Sequence, residues 1–126
     1  MSENKKKILV VDDSENLRLV LTDKLTGLGY EVVAVKNGKE GLAKALEVHP
    51  DIILLDVMMP EMNGWEMLEE LRKDSWGKKA EVIMLTVLED MESIAKALQE
   101  GSFTYLIKTG NTMDEIVQKI EEQLKK

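Results

Sequence analysis

Unbroken apolar runs, each closed by a polar residue, restrict this chain's fold more than any other feature. KILVV (7 to 11) stops at Asp12, IILL (52 to 55) at Asp56, and VIML (82 to 85) at Thr86. A strand with one wet face alternates apolar and polar residues. A continuous run is buried on both faces, as in a parallel sheet covered by helices on each side. The segment Glu31 to Val35 mixes valine with polar residues and reads as a more exposed strand nearer an edge, and TYLI (104 to 107) reads as a fifth strand.

Helical stretches alternate with these strands. Leu17, Val20, Leu21, Leu25 and Leu28 share one side of a helix that Gly27 and Gly29 end. Asn37-x-x-Glu40 makes a capping box for a helix through Leu42, Ala45 and Leu46. Pro50 and Asp51 lead into the third strand, and the loop VMMPEMNG leads to a helix carrying Trp65, Leu68 and Leu71 and ending near Gly77. Met91, Ile94, Ala95 and Leu98 mark the next helix, with Gly101 as its stop. Asn111 or Thr112 caps a last helix through Met113, Ile116, Val117, Ile120 and Leu124. The pattern is five β-α units: an α/β fold with a parallel sheet, right-handed crossovers and helices on both faces.

At 126 residues the chain is expected to form one domain, 1–126. It contains no cysteine, which excludes disulfides, thiolate zinc sites and cysteine nucleophiles. A net charge of −7 repels nucleic acid, and Lys5-Lys6-Lys7 reads as a solvated lead-in. The first apolar run is too short for a signal peptide or a membrane span, so a cytoplasmic protein is expected. The sequence ends at Lys126 directly after the last helix, so no DNA-binding or enzymatic output domain is expected in it, whether it is a stand-alone receiver or one cut from a longer regulator.

Open parallel α/β sheets carry their sites beyond the carboxyl ends of the strands, where strand order reverses. Asp12, Asp13, Asn37, Asp56, Thr86 and Lys108 occupy those ends. An Asp or Thr after a strand often does no more than cap the next helix. Three aspartates together with a hydroxyl and an ammonium ask for more, because the carboxylates repel one another until something positive offsets them. Oxygen donors without His or Cys suit Mg²⁺, Mn²⁺ or Ca²⁺, and the spacing does not fit the EF-hand loop. No GxxxxGK[ST] or GxGxxG loop supports nucleotide hydrolysis or dinucleotide binding. The only histidine, His49, precedes Pro50 in a loop away from these ends and reads as a surface residue. What remains is equipment for phosphoryl transfer, in which an aspartate can itself attack phosphorus and Lys108 is a phosphate ligand.

VVDDS (10 to 14), LLDVMMPEMNG (54 to 64), LT (85 and 86) and YLIK (105 to 108) resemble, in order and spacing, the receiver domain of two-component response regulators. The resemblance covers essentially the whole chain. It implies a flavodoxin-like, doubly wound sheet of five strands in the order 2-1-3-4-5. It makes Asp56 the phosphoacceptor, and it assigns Mg²⁺ (or Mn²⁺) to Asp13, Asp56 and the backbone carbonyl of Met58, with Asp12 acting through water. Lys108 and Thr86 would bind the phosphoryl oxygens, and Tyr105 falls at the aromatic switch position. The implied partners are a sensor histidine kinase or phosphotransfer protein, docking beside the first helix, where Leu19 faces away from the core stripe. The implied output surface spans Asp90 to Gln99, the fifth strand and the last helix, and also serves for phosphorylation-dependent dimerisation. Such a domain is a switch that assists its own phosphorylation rather than a turnover enzyme. The alternative is a pseudo-receiver that binds proteins without phosphate.

Two departures stand out. Receivers usually follow the lysine with a cis-proline, whereas Thr109 follows here. A cis bond before a non-proline residue costs about 2.5–4 kcal/mol, so Lys108–Thr109 is expected to be trans, with Gly110 absorbing the changed path. Val87 stands where receivers usually carry a small residue, and the two positions flanking the phosphate, Met58 and Leu88, are apolar. Slow loss of phosphate is expected. Met59 and Met62 are expected to pack inward.

Overall fold

Helices cover both sides of the sheet, which is why the apolar runs are unbroken. The computed structural model describes residues 5–85 and 112–125 in full, and residues 86 and 104–107 as backbone. Strands β1 (Lys7–Val11), β2 (Glu31–Val35), β3 (Ile52–Asp56) and β4 (Val82–Thr86) are parallel and lie in the order β2-β1-β3-β4. The backbone of Thr104–Ile107 (β5) runs parallel along the far edge of β4, with Thr104 opposite Ile83 and Ile107 opposite Thr86.

Strand residues split by parity. Leu9, Val11, Ile53, Leu55 and Met84 form one core with Ala45 of α2 (Gly38–Val48) and Met67, Leu68 and Leu71 of α3 (Gly64–Arg72). Ile8, Val10, Ile52, Leu54, Ile83 and Leu85 form the other. That second core takes Leu17, Leu21 and Leu25 of α1 (Glu15–Gly27) and Ile116, Val117 and Ile120 of α4 (Met113–Leu124). β2, with one exposed and four half-buried residues, is the open edge that its mixed composition predicts. Tyr30 Oη donates to Glu121 Oε2 at 2.9 Å and Lys24 pairs with Asp114 at 3.2 Å, tying α4 to the α1 side.

Three expectations about the helices need correction. Leu28 is 53% exposed instead of lying on the core stripe. α1 stops at Gly27, and Gly29 at φ 97° turns the chain so that the Tyr30 amide reaches back to the Leu25 carbonyl, leaving Leu28 outside. Leu46 is also exposed, because α2 packs inward through Gly41 and Ala45, with Gly38 against Met62. A Cβ on Gly41 would lie 2.8 Å from Val11 and 3.0 Å from Met67, so only a small residue permits this approach. α3 ends at Arg72, short of Gly77, because Asp74 Oδ2 accepts the amides of Trp76 and Gly77 and starts a separate 3₁₀ turn, Gly77–Lys79.

The caps vary too. Asn37 accepts the Glu40 amide at 2.8 Å, which is only the forward half of the expected box. Reciprocal boxes form at Asn63 with Glu66 and at Thr112 with Glu115. The helix expected from Asp90 to Gln99 and the residues around Lys108 lie outside the described residues.

Arg72 fastens the turn after α3. Its Nη1 donates to the carbonyls of Gly77 at 2.7 Å and Ala80 at 2.9 Å, and burial lowers its pKa from the usual guanidinium value. Arg72→Met keeps the apolar stem and removes both bonds. A loss of about 1.5–3 kcal/mol is expected, the usual worth of hydrogen bonds to a charged group, read as a lower urea midpoint with an unchanged slope.

Candidate functional site

Neighbouring strands β1 and β3 bring their carboxyl ends together, and β2 lies on the far side of β1, so strand order reverses at this point. Asp56 is the last residue of β3, while Asp12 and Asp13 directly follow β1. One carboxylate oxygen from each of Asp12, Asp13 and Asp56 lies within 4.8 Å of the other two. Asp12 and Asp56 are 1% exposed, whereas Asp13 is open to solvent. Two acids are thus held in the protein and the third faces the solvent side.

Local structure fixes each acid. Asp12 Oδ1 accepts the Ser14 amide at 2.8 Å, and Ser14 in turn caps α1 by accepting the Leu17 amide at 3.3 Å. The Asp12 amide donates to the Val35 carbonyl at 3.1 Å, extending the β1 ladder by one residue. Asp56 Oδ1 accepts the Met58 amide at 3.3 Å. The loop after it is pinned at Val57, whose amide donates to the Leu85 carbonyl at 3.1 Å and whose carbonyl accepts the Gly64 amide at 3.0 Å. Gly64 is required there, since any Cβ would run into the Asp56 carbonyl oxygen. Val57 and Met59 are buried and Met62 is partly buried against the core, while the Met58 side chain is 61% exposed.

Asn37 occupies a strand end without joining the acids, because its side chain is engaged as the α2 cap. Thr86 ends β4 beside Asp56, with Leu85 the register partner of Asp56, and its backbone alone is described. Tyr105 stands opposite Met84 in the β5 backbone. Val87, Leu88, Lys108 and the Lys108–Thr109 bond lie outside the described residues. His49 sits at the other end of the strands, exposed in the left-handed region at φ 49°, with its ring stacked on Trp76 at 4.3 Å.

Sequence reasoning missed Arg18. Its Nη1 donates to the Asp12 carbonyl at 2.7 Å, clamping the acidic turn from α1. The available signal was position: Arg18 lies one helical turn beyond the Ser14 cap, on the side facing that turn. Arg18 also lines an open groove of about 780 Å³ on the outer side of α1, with Leu19, Thr22 and Ala34 among its walls. Leu19 is 63% exposed there, on the face opposite Leu17 and Leu21.

Chemically, the cluster is a set of hard oxygen donors with neither nitrogen nor sulfur, which fits Mg²⁺ or Mn²⁺ in preference to zinc or copper.

Residues 8–121 match the family described as the response regulator receiver domain. A probable transcriptional regulator, ycf27, of Cyanophora paradoxa is 43% identical over 108 residues, covering 86% of this chain and 44% of that protein. The chain spans under half the length of this and similar curated relatives from Pyropia yezoensis and Porphyra purpurea. The chemotaxis response regulator CheY4 of Vibrio cholerae superposes with a TM-score of 0.86 at 31% identity, covering 95% of this chain and 99% of that one. A CheY-like receiver domain protein from Methanospirillum hungatei JF-1 gives a TM-score of 0.88 at 30% identity, covering 97% and 95%.

Proposed function

The chain belongs to the response-regulator receiver family, and from that premise we propose that it is a phosphoacceptor switch in which Asp56 takes a phosphoryl group from a histidine kinase or phosphotransfer protein. The observation that carries the reading is the convergence of Asp12, Asp13 and Asp56 within 4.8 Å at the point where strand order reverses. We read residues 1–126 as one receiver domain on a five-stranded, 2-1-3-4-5 sheet, acting in the cytoplasm. Among the described residues, no helix is long and apolar enough to cross a membrane.

In the proposed transfer, a carboxylate oxygen of Asp56 attacks the phosphorus of a phosphohistidine. The P–O bond forms as the P–N bond breaks, and the imidazole leaves. Asp13, Asp56 and the Met58 carbonyl would hold Mg²⁺, with Asp12 acting through water. Mg²⁺, when bound, neutralises charge on the phosphoryl oxygens. Lys108 and the Thr86 hydroxyl bind those oxygens after transfer. The product adds a charge of roughly −1.5 to −2 at Asp56. Drawing Thr86 and Lys108 inward, with Tyr105 following, biases the surface of the fourth and fifth β-α units between two packings. That surface is where an output partner or a second copy would bind. The domain assists this chemistry as a signalling switch.

A small-molecule phosphodonor with Mg²⁺ should label the wild-type chain and leave Asp56→Asn unlabelled; equal labelling of both would end the reading. The apolar set Met58, Val87 and Leu88 offers no hydrogen bond to an attacking water, so the phosphoryl group should be lost slowly. The triple variant Met58→Asn, Val87→Ala, Leu88→Gln should lose it roughly tenfold faster or more, the effect of one or two hydrogen bonds to that water. Equal decay rates of labelled wild type and variant would contradict this.

A further inference from the structure

We propose that Met58 is a peroxide-sensitive methionine whose oxidation shortens the life of the phosphoryl group on Asp56; the inference rests on Asp56 being the acceptor. Met58 is 61% exposed, whereas among the other described methionines Met59, Met67 and Met84 are buried and Met62 and Met113 are half-buried. An oxidant must reach the thioether sulfur, so exposure orders the reactivity of otherwise similar side chains.

Place matters as much as exposure. The Met58 amide donates to Asp56 Oδ1 at 3.3 Å, so this residue is fastened to the acceptor carboxylate itself. Buried neighbours on both sides, Val57 and Met59, anchor the segment. The bonds from Val57 to Leu85 and Gly64 hold it from below. Met58 is therefore the first side chain after Asp56 to enter solvent, at a position fixed relative to the carboxylate. As a thioether it sheds water from that side of the site.

The chemistry is a two-electron oxygen transfer. The sulfur lone pair attacks one peroxide oxygen, the O–O bond breaks, and the S–O bond of the sulfoxide forms. Hydrogen peroxide is reduced to water, and no other co-reactant is needed. A methionine sulfoxide reductase reverses the change. The sulfoxide oxygen is a hydrogen-bond acceptor where the thioether was nearly inert, and it can hold a water beside the acyl phosphate.

The test begins with dilute hydrogen peroxide on the full chain, followed by peptide mass mapping. Met58 should gain oxygen before Met59, Met62, Met67, Met84 and Met113. Treated and untreated protein are then labelled with a phosphodonor, and the decay of the phosphoryl group is followed. Decay should be about three- to tenfold faster after oxidation, as expected for one neutral hydrogen bond to the attacking water. Sulfoxide reductase should restore the original rate. Met58→Leu should show no change in its own decay rate on peroxide treatment, which assigns the effect to this sulfur. Earlier oxidation of any of those five, or an unchanged rate once Met58 is fully oxidised, overturns the proposal. A chain that never takes up phosphate sinks the acceptor reading and this inference with it. A chain that takes it up and ignores Met58 oxidation sinks this inference alone.

Discussion

Gly64→Ala is expected to lose about 3 kcal/mol or more, the upper end of the cost of forcing an extra methyl into packed structure. The new Cβ would collide with the Asp56 carbonyl oxygen and lie 2.9 Å from the Val57 Cα and 3.0 Å from the Asp56 carbonyl carbon. Every one of these atoms is backbone, so no side-chain rotation relieves the contact. The same peptide carries the Gly64-to-Val57 hydrogen bond that closes the loop after Asp56. Urea denaturation should show a much lower midpoint, and whatever folded protein remains should hold Asp56 in the wrong place. Gly27→Ala is the control: its Cβ meets nothing within 4 Å, and a helical alanine there should be neutral or gain up to about 1 kcal/mol. A wild-type midpoint for Gly64→Ala would show that the loop packs differently.

Asp13→Asn should do the opposite, sparing the fold and removing the metal. Asp13 is exposed, so its loss leaves no cavity. Like charges about 5 Å apart repel by roughly 1 kcal/mol even at a water-like dielectric, and removing one of three relieves that strain. Without Mg²⁺ the variant should therefore melt at the wild-type temperature or slightly above it. With Mg²⁺ the order should reverse. A bound ion stabilises in proportion to the logarithm of its concentration over its Kd, and a missing carboxylate ligand should raise that Kd by about a hundredfold, the upper end of the 10–100-fold range of losses outside the first coordination sphere. Equal Mg²⁺-dependent shifts in wild type and variant would remove Asp13 from the metal site.

Much of the architecture could be read from the apolar runs, because burial on both faces leaves no polar residue in β1 after Lys7, in β3 before Asp56, or in β4 before Thr86. Where Leu28 and Leu46 misled, the cause was local. Gly29 in the left-handed region turns the chain back directly after α1, and α2 packs inward through Gly41 and Ala45, which leaves Leu46 outside. Hydrophobic spacing records which residues are apolar and is blind to how closely a helix approaches. At the site, the acids stand out because strand ends are marked by the first polar residue. Arg18 does not, since a bond from a side chain to a backbone carbonyl leaves no pattern in residue types. Gly64 has the same character: it sits in the resembling motif, but its reason is the approach of the Asp56 peptide.

The most direct test of the central claim is intact mass after incubation with a small-molecule phosphodonor, with and without Mg²⁺, for wild type and Asp56→Asn. Borohydride reduction and peptide mapping then locate the adduct. One added phosphoryl group on Asp56, dependent on Mg²⁺ and absent from Asp56→Asn, is the result expected of a phosphoacceptor. No adduct from the small donor or from a phosphorylated kinase, or an adduct that survives in Asp56→Asn, would contradict it and leave a receiver fold that works without phosphate.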